Sequence, residues 1–133
     1  MAIHDRLRNS VASCLVLLLT ACGKPPTSMS RTYVVAYRVI GSAGITFDSV
    51  RYEDAQGTSV RVVAPASNWS VAFSASSGAY VQASAWALAS AGGASATLRV
   101  MWTESGVSTA SDSSTATTGA PGRFALSIPR RQI

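Results

Sequence analysis

The sequence predicts an all-β domain over residues 31–133, an immunoglobulin-like antiparallel β-sandwich of seven to eight strands. From Arg31 onward, short runs of β-branched and aromatic residues alternate with Gly, Ser, Asn and Asp, the residues that favour turns. No segment keeps the hydrophobic period of an amphipathic helix. Seven or eight such runs in about 100 residues fit the strand density of an immunoglobulin-like sandwich.

The first 21 residues have the features of an export signal. Arg6 and Arg8 precede the apolar segment VASCLVLLLTA, residues 11–21. This segment is about half as long as the roughly 20 residues that a permanent transmembrane helix needs. We therefore predict a cleaved signal peptide over residues 1–21.

The end of this segment predicts a lipid anchor. Leu19, Thr20, Ala21 and Cys22 resemble the lipobox of bacterial lipoproteins, which is cleaved before its cysteine. Cleavage between Ala21 and Cys22 would leave a Cys22 thiol carrying a diacylglyceryl group, with or without a further N-acyl chain. A similar pattern ending in Cys14 has no apolar segment of useful length before it. An ordinary secretory signal and a short buried helix are the alternatives.

Residues 22–30 predict a flexible tether behind the lipidated cysteine, because the segment combines adjacent prolines with small polar residues. The predicted location is the bacterial cell envelope, outside the cytoplasm. In enteric bacteria an Asp after the lipidated cysteine retains a lipoprotein in the inner membrane, whereas this chain has Gly23. The outer membrane, on its periplasmic or surface face, is therefore favoured if the host has one.

The first half of the domain predicts three strands and a hairpin. Residues 31–41 alternate, which places a row of large residues on one face. Residues 53–57 form a turn whose Gly57 accepts positive φ, so residues 59–63 should return as the hairpin partner of residues 45–52. The row on the first strand consists of Tyr33, Val35, Tyr37 and Val39.

The middle of the domain predicts a loop around Pro65, because proline lacks the amide hydrogen that a central strand donates. Trp69, Val71 and Phe73 then alternate strictly and are the strongest candidates for the core. A further strand is predicted over residues 79–88 and another over residues 97–104, where Trp102 shares a face with Leu98 and Val100. We expect Trp69 and Trp102 to lie in the core.

The strand at residues 79–88 has two unlike faces. Val81, Ala83, Ala85 and Ala87 are small and apolar, which suits close packing under a facing sheet. The opposite face carries a mixed polar and aromatic row that is typical of an exposed sheet surface. We predict an interaction surface there, formed by Tyr80, Gln82 and Trp86.

The end of the chain predicts a turn at Ser105 and Gly106, a short strand at residues 107–110 and a closing strand at residues 123–128 that Pro129 ends. Between the last two strands, residues 111–122 contain no large apolar residue. Such a segment has little to bury, so we predict a mobile loop there.

Removal of the signal peptide also removes residues that most catalytic and metal-binding sites would need. His4 and Cys14 leave with it, so the mature chain has no histidine, and Cys22 is its only cysteine. A Ser-His-Asp triad, a Cys-His pair and the usual zinc ligand sets are thereby excluded. We predict no catalytic residue, no metal, no cofactor apart from the lipid, and no internal disulfide. Glu53 and Asp54 could join a calcium loop, although a solvated turn is favoured.

The charge of the mature chain is mildly basic. Loss of Asp5, Arg6 and Arg8 leaves nine Lys/Arg and five Asp/Glu residues, a net charge of about +4. Only Arg130 and Arg131 are adjacent, and the other arginines of the domain are spaced singly. This predicts no nucleic-acid binding and a weak attraction to anionic lipid headgroups instead.

Three short segments resemble the MmpS-type transport accessory proteins. They are YRVIG (residues 37–41), VRY with an acidic-to-Gly turn (residues 50–57), and NWS leading into Phe73 (residues 68–73). The resemblance covers residues 34–128 and implies a small non-catalytic β-sandwich that assists exporters of the resistance-nodulation-division type in moving lipids or siderophores. In two places the chain departs from the family. Pro65 stands four residues before Trp69 instead of next to it, and a lipobox replaces the transmembrane helix of the mycobacterial members.

Three functional hypotheses follow. The leading one is a lipid-anchored accessory or binding module that presents a β-sandwich to an envelope partner, such as a resistance-nodulation-division exporter. The second is a structural or adhesive surface lipoprotein with no transport role. A hydrolase is the least favoured, because nothing in the sequence supports a carboxylate pair for glycoside cleavage.

Overall fold

The computed structural model describes residues 30–104 and 109–133, and this part of the chain contains eight β-strands. The strands form two four-stranded antiparallel sheets. Sheet 1 has the order β4-β1-β6-β7 and sheet 2 the order β3-β2-β5-β8. The predicted β-sandwich is thus confirmed. The strands are β1 Thr32–Gly41, β2 Ile45–Glu53, β3 Ser59–Val63, β4 Ser70–Ser76, β5 Tyr80–Ala89, β6 Ser95–Glu104, β7 Thr109–Thr117 and β8 Gly122–Gln132.

The predicted signal peptide, Ala21 and Cys22 lie outside the described residues, as do most of the tether and the turn at Ser105 and Gly106. Within residues 30–104 and 109–133, no helix is long and apolar enough to span a bilayer.

The core lies between the two sheets and follows the alternation of the sequence. On β5, Ala83, Ala85 and Ala87 are all buried, as their pattern predicts. Their small side chains leave room for larger residues of β1, β2 and β6. The largest fully buried side chains are Tyr37, Phe47, Leu98, Ile128, Val35, Val39, Val50, Val81 and Val100.

The predicted hairpin between β2 and β3 is confirmed. Its last pair joins Glu53 to Ser59, and Gly57 has a φ of 78°. An Asp54 carboxylate oxygen accepts hydrogen bonds from the backbone N–H groups of Gln56 at 2.9 Å and Thr58 at 2.8 Å. This Asx-turn geometry fixes the turn and hence the register of the two strands.

Trp69, Val71 and Phe73 lie on the core side of sheet 1, partly buried against the core, as does Trp102. The Trp69 ring centroid is 5.8 Å from that of Tyr52 in the opposite sheet. The prediction of these residues as core residues is confirmed, with partial burial because the cluster lies near the rim of the sandwich.

The predicted mobile loop over residues 111–122 is wrong. Residues 109–117 form β7, which pairs with β6 along its whole length, and only residues 118–121 connect it to β8. An edge strand needs backbone pairing on one side and small residues facing the core. Two threonine pairs add cross-strand hydrogen bonds of 3.0 Å each, Thr97 with Thr115 and Thr103 with Thr109. Of the predicted strand at residues 107–110, residues 109 and 110 are the beginning of β7, and residues 107 and 108 lie outside the described residues.

The prediction that Pro129 ends the last strand is also wrong, because β8 continues to Gln132. Val81 pairs with Arg131 whereas Ala83 pairs with Ile128, so β8 contains an extra residue at this point. Pro129 lies in this bulge on an edge strand, where its missing amide hydrogen breaks no ladder bond.

Gly92 offers a test of how the strand connections pack. A Cβ at Gly92 would lie 2.6 Å from the carbonyl oxygen of Gly119, whereas a Cβ at Gly119 would meet nothing within 4 Å. We expect Gly92→Ala to lower the free energy of unfolding by about 1–2 kcal/mol, because backbone must move to admit the methyl group. Gly119→Ala is the matched control. Urea unfolding curves that show equal stability for the two variants would contradict this close contact.

Candidate functional site

The outward surface of sheet 2, called here the outer face of sheet 2, carries the predicted interaction residues. Trp86 is 41% exposed and Tyr80 is 37% exposed, although both are large aromatic residues. Gln82 is exposed between them. The predicted exposure of this row is therefore confirmed, and its role in binding is a proposal developed below.

The same face collects arginines that are far apart in the sequence. Strand pairing places Arg51 of β2 directly opposite Arg61 of β3. Ser84 of β5 is the next residue in this row, on the other side of Arg51. Arg123 of β8 pairs with Leu88, which is on the same face of β5 as Trp86. Single spacing along the chain thus becomes a cationic cluster in the fold.

Two neighbouring grooves cross this face. The larger, of about 500 Å³, is lined by Asp48, Ser49, Arg51, Arg61, Trp86 and Arg123. Its floor includes Ser49, which is buried because it lies next to Trp86 in the strand register. Arg123 is loosely placed, with its Nε 3.9 Å from an Asp48 oxygen and both side chains substantially exposed. Such an ion pair contributes little and is easily rearranged.

The smaller groove, of about 360 Å³, lies beside the first and shares Arg51 with it. One wall is an ion pair between Glu53 and Arg130. The Glu53 side chain is only 8% exposed, and its two carboxylate oxygens accept hydrogen bonds from Arg130 at 2.8 and 3.0 Å. These bonds raise the pKa of the Arg130 guanidinium above its usual value. Arg130 also lies over the Tyr80 ring, 3.7 Å from its centroid.

These contacts correct the prediction of a solvated turn for Glu53, whereas Asp54 does lie in the predicted turn. Glu53 is the last residue of β2 and is buried against Arg130, while Asp54 binds the backbone of its own turn. Both carboxylates are therefore engaged within the protein. Across the described ranges, no three His, Cys, Asp or Glu side chains are grouped as a metal site would require.

Tyr37 lies in the core beneath Glu53 and Gln82 and forms hydrogen bonds with the backbone of both residues. Its ring belongs to β1 in sheet 1, but its hydroxyl group reaches sheet 2, where it donates a hydrogen bond of 3.1 Å to the carbonyl oxygen of Glu53. The Tyr37 hydroxyl oxygen in turn accepts a hydrogen bond of 3.2 Å from the backbone N–H of Gln82. Burial raises the pKa of Tyr37 to about 12, so the hydroxyl stays protonated at neutral pH. The strands beneath Gln82 and Glu53 are thereby fixed.

The side chains on the outer face of sheet 2 are suited to binding another molecule. Guanidinium groups offer forked donors for anions, and the exposed Trp86 offers a flat apolar surface. Sequence reasoning found the aromatic row and missed the arginines. One part of the cluster could have been predicted from sequence. If the strands of the predicted hairpin are paired outward from the turn at residues 53–57, Arg51 lies opposite Arg61. Nothing local in the sequence points to Arg123, because its position depends on how β8 pairs with β5.

Comparison with protein-family models and with curated proteins finds no significant match to this sequence. The resemblance to MmpS-type proteins therefore rests on the three short segments alone. In the structure these segments lie at the end of β1, at the end of β2 with its turn, and at the beginning of β4.

Proposed function

We propose that this protein is a lipid-anchored extracytoplasmic binding module, a non-catalytic accessory component of an envelope export system similar to MmpS-type proteins. One observation carries the proposal. The outer face of sheet 2 brings exposed aromatic residues and arginines together around two adjoining grooves.

The composition of this face favours interaction with a partner. Trp, Tyr and Arg are the residues that most often dominate binding energy at interfaces. Trp86 and Tyr80 expose apolar area whose burial would be favourable, at about 25 cal/mol per Å². Arg51, Arg61 and Arg123 line the same groove as Trp86, and their charge would steer and orient an anionic partner.

The predicted anchor would keep this face close to the membrane. Nine residues, 23–31, separate Cys22 from the beginning of β1 at Thr32, and this distance is at most about 35 Å when the chain is extended. Adjacent prolines favour such extension. The domain would therefore lie within reach of membrane lipids and of the extracytoplasmic parts of membrane proteins, including a resistance-nodulation-division exporter.

The test is crosslinking and pull-down from membranes with the intact, anchored protein. We expect recovery of a transporter component, and we expect Trp86→Ala to weaken its capture roughly tenfold or more, as loss of a central interface tryptophan does. Thermal stability should stay unchanged, because Trp86 faces outward. Val34→Ala is the matched control, since Val34 is also exposed but lies on sheet 1. Recovery of no transporter component would remove the exporter role.

A structural or adhesive surface lipoprotein is the second candidate. The outer face of sheet 1 supports it, because that face is rich in small and hydroxyl-bearing residues. It includes the threonine pairs that link β6 to β7. Unchanged capture of envelope partners by Trp86→Ala, with loss of surface attachment in variants of sheet 1, would favour this candidate.

A further inference from the structure

The arginine pair on β2 and β3, at one edge of sheet 2, is electrostatically unfavourable as it stands. Arg51 and Arg61 are directly opposite on neighbouring strands, and both are exposed. Like charges at such positions, with Cβ atoms about 5 Å apart, destabilise a sheet. Within the part of the chain that the structure describes, neither guanidinium has a carboxylate within ion-pair distance. A bound anion would turn this repulsion into attraction.

The surroundings of the pair resemble a prepared anion site. Arg123 adds a third positive charge at the same groove, and Asp48 offsets one charge, so the groove carries a net charge of about +2. Hydroxyl groups lie nearby, with Ser49 in the groove lining and Ser84 beside Arg51 in the strand row. Trp86 closes one side with an apolar surface.

Charge and the number of acceptor oxygens favour a phosphate over a carboxylate. In the neighbouring groove, one carboxylate, Glu53, engages one guanidinium with both of its oxygens. A carboxylate carries one negative charge, so between Arg51 and Arg61 it would balance only one of the two positive charges. A phosphate monoester carries up to about two negative charges and three terminal acceptor oxygens, so it can balance both guanidinium groups and engage them at once.

We infer that Arg51 and Arg61 form a binding site for the phosphate group of a phosphate monoester, whose carbon portion packs against Trp86. The inference rests on the proposed binding role of this face and names its ligand class. Both the headgroup of phosphatidic acid and a soluble phosphate monoester have this chemistry. The anchored position of the protein would bring the first within reach.

The opposite face of the sandwich supplies a matched control. Arg38 of β1 is directly opposite Arg99 of β6, and both are exposed. Their strand neighbours in the row are Ser70 and Ser113. This pair has the same charge and the same cross-strand arrangement, but the neighbouring outward pairs, Ala36 with Met101 and Ile40 with Thr97, contain no aromatic residue. Removing either pair changes the net charge of the protein by the same amount.

The experiment is calorimetric titration of the full-length processed protein in nonionic detergent at low salt. One arm uses soluble glycerol 3-phosphate, and the other uses micelles containing phosphatidic acid, the lipid that carries the same phosphate monoester. We expect R51Q/R61Q to weaken binding about tenfold or more in the arm that binds, because charge-assisted hydrogen bonds are lost. R38Q/R99Q should stay within about twofold of the wild type. R51Q/R61Q should melt no lower than the wild type, since it removes a repulsion.

The outcomes distinguish a soluble ligand from a lipid ligand, and they distinguish failure of the ligand assignment from failure of the proposed function. Binding of glycerol 3-phosphate would support a site for soluble monoesters, and binding of phosphatidic acid alone would support a headgroup site. Equal weakening of binding in R51Q/R61Q and R38Q/R99Q would show only a general attraction between charges and would overturn the proposed site. Absence of binding in both arms would overturn it too. Capture of a transporter component that persists in R51Q/R61Q would then show that only the ligand assignment fails.

Discussion

Replacement of Cys22 by Ser is expected to move the protein from the membrane fraction to the soluble fraction almost completely. Lipidation requires the thiol, and serine cannot accept the diacylglyceryl group through a thioether. Each buried methylene contributes about 0.8 kcal/mol, and two acyl chains are enough for stable anchoring. Loss of these chains would leave only weak attraction of the basic domain to anionic headgroups. Fractionation and immunoblotting measure the change.

Cys14→Ser is the matched control and should stay in the membrane fraction, because Cys14 lies within the predicted signal peptide. Membranes are washed at high salt before analysis, since electrostatic attachment through arginines is weakened by salt whereas the lipid anchor is not. Mass spectrometry of the amino-terminal peptide should find the diacylglyceryl mass on Cys22. A Cys22→Ser protein that remains bound after the salt wash would contradict the lipid anchor.

The strands that could be predicted from sequence are those whose two faces differ in hydrophobicity. The strand β5 is the clearest case, because Val81 and the alanines after it alternate with Gln82 and Trp86. The strand β7 could not be found in this way. Its residues are almost all Ser, Thr and Ala, and its formation depends on pairing with β6. Tertiary pairing therefore overrides a composition that by itself favours a loop.

The residues of the candidate site also differ in whether they could be predicted from the sequence. The exposure of Trp86 follows from alternation within one strand, so the sequence alone predicts it. The arginine cluster requires the order and register of strands that are distant in sequence, because Arg61, Arg51 and Arg123 come from three different strands. The bulge that contains Pro129 shifts the register just before Arg130, which contacts Glu53. No local pattern in the sequence carries that information.

Tyr37 shows how the core and the candidate site depend on each other, and Tyr37→Phe is expected to lower the free energy of unfolding by about 2 kcal/mol at neutral pH. The substitution keeps the buried ring but removes the hydroxyl that joins the two sheets. The carbonyl of Glu53 loses a donor and the N–H of Gln82 loses an acceptor in a region closed to water. Urea unfolding followed by tryptophan fluorescence measures the change.

The contribution of Tyr37 should also depend on alkaline pH. Its pKa is raised from the ordinary value of 10 to about 12, chiefly by burial, so between these values the folded chain binds more protons than the unfolded chain. This contribution to the free energy of unfolding is fully present below about pH 10. It falls as the pH rises toward 12, by about 1.4 kcal/mol per pH unit and about 3 kcal/mol in total. Tyr37→Phe should lack this decline, whereas Tyr80→Phe, which removes a hydroxyl from an exposed ring, should keep it. An equal decline in the wild type and Tyr37→Phe would mean that ionisation of Tyr37 does not cause the decline, and would contradict the raised pKa of this hydroxyl.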